Sequence, residues 1–197
     1  RNGIIGGYGF GHSDFMWDLR LQPLVKATFA AIWEDDDLLV SFDGGNAFRP
    51  WQRNPEWRTD SGWWHVDQNA SRGPQRQGKV CVQGLVTLLD ATAETGGLCV
   101  IPGSHRQHEA LCQRSPFAKS SSGDFVPVGE DDEILKGQRG VAVCCRAGDM
   151  VVWDSRLVHC NTPGQLHLAH GASEGEVEET TGVPAENSRT DGSDAPP

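Results

Sequence analysis

The chain has 197 residues, a net charge of −10, 37% apolar residues and a mean hydropathy of −0.46. That length supports one domain with a real core, and the acidic balance argues against nucleic acid as a partner. No apolar run is long enough to cross a membrane. No signal-peptide pattern opens the sequence, so a cytoplasmic location is expected.

Six cysteines (Cys81, Cys99, Cys112, Cys144, Cys145 and Cys160) occur, several within apolar runs and none in a CxxC pair. They read as mostly buried thiols in a reducing compartment rather than a disulfide framework or a zinc site.

Residues 1–16 are rich in glycine and read as a flexible leading segment. No strand precedes them and no Lys-Ser or Lys-Thr follows, so a phosphate loop is not supported. Leu21, Leu24, Val25, Phe29, Ile32 and Trp33 lie near helical spacing, and Pro23 suits a first turn, so 21–33 is predicted to be an amphipathic helix. The acidic run Glu34 to Asp37 closes it.

The period then changes. Leu38 to Phe42 and Trp63 to Val66 read as short strands, and Val80 to Leu89 as the longest, with Val82 and Val86 on one face around Gly84. Asp90 to Gly97 is a loop, Leu98 to Ile101 a strand, and Pro102-Gly103-Ser104 a turn. Residues 104–138 are mixed polar, and a long surface excursion serving as lid or substrate loop is expected. Val141 to Cys145, Met150 to Asp154 and Leu157 to Cys160 complete the strand-like runs. Many short strands and one strong helix predict a β-sandwich or jelly roll with a helical N-terminal layer. The expected domain is 1–164. Residues 165–197 hold seven acids against one Arg and read as an acidic, mostly disordered tail in which only Leu166 to Leu168 could extend a strand. No internal repeat is visible.

His65-Val66-Asp67 ends one of these strands. A His and an Asp two apart on a strand share a face, and His159 from a later strand could complete three ligands. Two His and one carboxylate on one side of a metal leave positions open, the arrangement of non-haem Fe(II) oxygenases. The pattern alone leaves a second reading open, with two half-buried imidazoles and a turn aspartate. His12, His108, His167 and His170 lie in polar or irregular sequence and read as surface residues. His105 reads as a turn residue. Trp63 and Trp64 must face opposite ways, one toward the site and one away.

Three ordered motifs sharpen the choice: Trp64-His65-Val66-Asp67; Gly97 through His105 (GLCVIPGSH); and Gly148-Asp149-Met150-Val151-Val152-Trp153 with Leu157-Val158-His159. Together, over roughly 15–163, they resemble the phytanoyl-CoA dioxygenase family of Fe(II)/2-oxoglutarate oxygenases. The resemblance implies a double-stranded β-helix, with His65, Asp67 and His159 as iron ligands. It further implies 2-oxoglutarate as co-substrate, O2 as oxidant, succinate and CO2 as products, and hydroxylation of a small organic molecule. Asn161 and Gln83 match positions near the co-substrate in that family.

One feature departs from the family pattern. About ten residues beyond the distal His the family places an Arg that grips the far carboxylate of 2-oxoglutarate, a task suited to a bidentate guanidinium. This sequence offers Leu168, Ala169, His170 and Gly171 there, and the next Arg is Arg189. A normal last strand is missing with it. His170, Arg72, Arg76 or Lys79 could substitute for it. The alternative to an active oxygenase is therefore a truncated or non-catalytic metal-binding relative with an incomplete 2-oxoglutarate site. Substrate identity and oligomeric state are not encoded in any motif.

Overall fold

The computed structural model describes residues 2–165 and, as backbone, Glu178–Thr180. In chain order the strands and helices are β1 (Ile4–Ile5), α1 (Asp14–Arg20), α2 (Pro23–Trp33), β2 (Gly45–Asn46), β3 (His65–Val66), β4 (Val82–Val86) and β5 (Gly96–Val100). They continue with α3 (His108–Arg114), α4 (Pro116–Ser120), β6 (Val126–Pro127), β7 (Val141–Val143), β8 (Met150–Asp154), β9 (His159–Pro163) and β10 (Glu178–Thr180).

The main sheet runs β10-β7-β5-β9-β3-β6. Its pairings are antiparallel except β10, which lies parallel to β7. A second sheet pairs β4 with β8 over five residues, Val82↔Asp154 to Val86↔Met150. The two sheets meet through Gln83 on Asp67 and Trp153 on His159. This is the expected mainly β jelly-roll architecture. Among the described residues it does not close into a barrel, and the strand after β9 is β10 rather than a regular last strand.

Local sequence explains the joints. Ser13 caps α1, its hydroxyl accepting from the Met16 N–H, as N-cap serines do. Pro23 opens α2 where a missing N–H costs nothing. Gly96 starts β5 at φ +82°, and a Cβ there would sit 2.5 Å from the Thr162 carbonyl of β9. Only glycine lets the two strands approach so closely.

Phe29 of α2 reaches the outer face of β4–β8 at Gly84. Gly84 makes room for it, since a Cβ there would meet the Phe29 ring of α2 and the Met150 methyl at 2.8 Å each. The apolar stripe of α2 is only partly covered: none of its residues is buried, and Leu24 is 82% exposed.

Several expectations are corrected. Leu38–Phe42 forms no strand and is largely exposed. A strand there would need a paired neighbour, and the segment has none among the described residues. Residues 4–20, read mostly as a flexible lead, carry β1, a 3-10 turn and α1. The largest correction concerns 104–138. It is no surface lid. Leu111, Cys112, Ala118, Val126, Val128 and Ile134 all come from it and form the core with Val66, Ile101 and Val158. The apolar residues were spaced by polar ones at helical intervals in two short helices, which hid the buried face. His108, expected at the surface, is 1% exposed. Leu166–Leu168 and most of the expected acidic tail lie outside the described residues.

Candidate metal centre

β3 and β9 build the site by register. His65 lies directly across from His159 in the antiparallel pair, so both imidazoles leave the same face of the sheet. His159 opens β9 rather than ending a strand as the sequence suggested. Asp67 stands just past β3, where its backbone N–H donates to the Ser155 carbonyl at 2.9 Å. That bond ties the β3 exit to the β8–β9 turn and turns the carboxylate back toward the imidazoles.

The sequence-predicted triad therefore meets. One ligand atom from each of His65, Asp67 and His159 lies within 4.8 Å of the others. Asp67 Oδ2 is 3.5 Å from His65 Nε2 and 3.4 Å from His159 Nε2. Each His uses its other nitrogen on a backbone carbonyl: Nδ1 of His65 on Trp63 at 3.2 Å, Nδ1 of His159 on Leu157 at 2.8 Å. A carbonyl can only accept, so both Nδ1 atoms carry hydrogen. This fixes the rings and aims both Nε2 atoms at one point beside a carboxylate oxygen. Three electron-rich atoms that close require positive charge among them, supplied by ring protons or a metal ion. Both histidines are 5% exposed. Burial pushes the Asp67 carboxyl up, but hydrogen bonds and charge from His159 and His65 outweigh it and hold the group well below the usual carboxylate range. The donor set fits a divalent metal of intermediate softness, with protein ligands on one side.

Aromatic rings wall the centre. Trp63 stacks on His65 at 4.9 Å, Phe125 lies 4.8 Å from the same ring, and Trp153 meets His159 edge-on at 5.4 Å. Trp64 faces the other way and packs against the core. Phe125 carried no signal in the sequence because its segment read as a surface excursion. Trp153 was visible in the third motif, yet its role beside His159 needed the register of β4 and β8.

Gln83 lies on β4 and donates its amide to Asp67 Oδ2 at 2.8 Å. Asn161, two residues past His159 on the same strand, donates to the Asn46 side chain at 3.1 Å. The substitute cations from the loop after Asp67 turn elsewhere. Arg72 and Arg76 pair with Asp124 at 2.8 and 3.2 Å, and Lys79 lies over the Trp33 ring at 4.8 Å. Each of these contacts satisfies a charge or covers a ring. Leu168, His170 and Arg189 lie outside the described residues.

Fold and site together define a jelly-roll protein with a two-His-one-carboxylate centre. The family model for phytanoyl-CoA dioxygenase (PhyH) matches residues 9–163, and the chain belongs to that family. It is 32% identical over 161 residues to "Ava biosynthesis cluster protein O" of Aspergillus versicolor, covering 77% of this chain and 50% of that one. It is 25% identical over 169 residues to a Dictyostelium discoideum protein carrying the phytanoyl-CoA dioxygenase name, covering 71% and 47%. The chain thus spans about half the length of the curated relatives it matches. No solved structure matches it significantly.

Proposed function

We propose that this chain is an Fe(II)- and 2-oxoglutarate-dependent dioxygenase that hydroxylates a small organic substrate with release of succinate and CO2. The observation that carries the proposal is the convergence of His65 Nε2, His159 Nε2 and Asp67 Oδ2 on one point, each imidazole fixed from behind. Family membership supports an oxygenase-type enzyme. Iron held there would activate O2, with 2-oxoglutarate supplying the remaining electrons.

The chain's own residues do the positioning. His65, Asp67 and His159 would hold the metal from one side and leave its other side to small ligands. Trp63, Phe125 and Trp153 would exclude bulk water beside the imidazoles. Asn161 and Gln83 would border the co-substrate, Asn161 from the strand of His159 and Gln83 from the facing sheet. Phe125, beside His65 and 52% exposed, would form the solvent-facing rim of the centre. No helix among the described residues is long and apolar enough to cross a membrane.

A second reading has its own observation. Arg72, Arg76 and Lys79 are engaged away from the triad, which supports a metal-binding relative whose 2-oxoglutarate site is incomplete. Anaerobic reconstitution with Fe(II) followed by a succinate assay separates the two. Succinate release with 2-oxoglutarate and O2 supports the dioxygenase. Tight iron binding without succinate supports the relative. Absence of iron binding overturns both.

A further inference from the structure

We propose that Gln83 is a positioning residue for the metal centre: its side-chain amide holds Asp67 Oδ2 in the orientation that serves both histidines. The inference rests on the metal-binding reading above and deepens it. Three facts carry it. Gln83 Nε2 lies 2.8 Å from Asp67 Oδ2. That oxygen is the one that faces both imidazole Nε2 atoms, at 3.4 and 3.5 Å. And an ionised carboxylate can only accept, so the amide presents its N–H and not its oxygen.

Placement on the fold gives the contact its meaning. Asp67 lies beyond the end of β3, where the Ser155 carbonyl holds its backbone N–H and Gln83 donates to its carboxylate. Gln83 reaches it from the middle of β4, and is itself fixed by pairing across from Trp153. Trp153 in turn packs on His159. The β4–β8 sheet therefore touches two of the three ligands, one through an amide and one through a ring edge. With Oδ2 held by Gln83, Asp67 would present that oxygen to a metal alongside the two Nε2 atoms. Such outer partners of metal ligands commonly matter by 10–100-fold in affinity.

The amide stays committed to this orientation at a cost. Gln83 Oε1 is buried without a partner among the described residues, and an unsatisfied buried acceptor is unfavourable. Turning the amide over would set this oxygen against the Asp67 carboxylate, which is worse.

The test uses anaerobic titration of Co(II) and Fe(II) into the purified full chain. Gln83→Met keeps the length and removes the donor. It is expected to weaken metal binding by roughly 10–100-fold and to change the visible absorption of the Co(II) protein, with the metal-free melting temperature little altered. Gln83→Glu replaces the donor by a second carboxylate facing Asp67 and is expected to weaken binding further at neutral pH. Val82→Ala, one residue away on the opposite face, controls for packing and is expected to bind like wild type. If wild type binds metal and Gln83→Met matches it in affinity and spectrum, the role assigned to Gln83 is wrong. An equal loss in Val82→Ala also overturns it, because packing then explains the effect. If wild type itself binds no metal, the metal-centre reading fails first. Should Gln83→Met not fold, Gln83→Asn carries the same test, since it keeps the amide but is one methylene too short for the contact.

Discussion

The two faces of the sheet around β3 and β9 are built on opposite principles. On one face His65, His159 and the neighbouring Asp67 gather polar atoms that repel one another unless a positive charge joins them. On the other face Val66 and Val158, each next in sequence to a ligand, sit in an apolar cluster with Leu111, Ala118 and Val126 at essentially zero exposure. The alternation of a strand puts these environments one residue apart. The core face packs the strands together, and the ligand face presents its polar cluster from the same two strands. Stability and chemistry are thus segregated by side, and substitutions on each side have distinct signatures.

The largest expected effect is on the ligand face. Asp67→Ala removes the carboxylate and the charge that balances a cation. Tight binding of Fe(II) or Co(II) is expected to disappear in calorimetric titration. The metal-free protein is expected to keep its fold and to lose little stability, because two histidines freed of a close carboxylate remain hydrogen-bonded to Trp63 and Leu157. A collapse of the fold in Asp67→Ala would break the segregation.

Leu111→Ala probes the other face. Leu111 is 1% exposed, and truncation of such a core leucine costs about 3 kcal/mol. Chemical denaturation is expected to read that loss, while metal affinity of the folded fraction stays near that of wild type. A large fall in affinity would mean that the core helices tune the centre directly.

Gly84→Ala tests the second sheet. The new methyl would meet Phe29 and Met150 at 2.8 Å. Both contacts are ends of flexible side chains, so the expected destabilisation is about 1 kcal/mol, at the mild end for overpacking. A change in metal affinity is also expected, because a shift of β4 carries Gln83 with it. Parallel measurement of unfolding and Co(II) affinity distinguishes this from the Leu111 pattern.

These regions also differed in how plainly the sequence announced them. The triad was legible because its ligands fall within two ordered motifs, and because strand periodicity fixes which residues share a face. Met150–Asp154 was legible for the same reason, as a run of apolar residues bounded by a Gly-Asp turn and a polar stop. The segment 104–138 was not. Its buried residues are scattered over two short helices, a two-residue strand and the irregular stretches around Val128 and Ile134, and polar residues such as His108 and Ser115 are buried among them. No single periodicity spans such a stretch, and burial there is decided by contact with β3 and β9, distant in sequence. Gln83 stood out only as matching a position near the co-substrate in the family. Its contact with Asp67 was not legible, because it depends on how one sheet faces the other.

The smallest expected effect lies at the rim of the core. Arg114, at the end of α3, grips Asp132 through two hydrogen bonds of 3.0 and 2.5 Å. Burial raises the Asp132 pKa, but the Arg114 hydrogen bond and charge overcome it, and the net shift is downward. A carboxyl with a depressed folded pKa stabilises the fold above its unfolded value, near 3.9. That contribution is lost as pH falls through the lower folded value. Asp132→Asn removes the charge but keeps an acceptor, and at pH 7 it is expected to cost below about 1 kcal/mol, since the pair is partly exposed. The gap between wild type and variant should close as the buffer is taken below the unfolded carboxyl range, read as converging melting temperatures. Metal affinity at neutral pH should not change, because Asp132 belongs to the core side of the sheet. If Asp132→Asn weakened metal binding as well, the separation between the stabilising face and the ligand face would not extend to the edge of the domain.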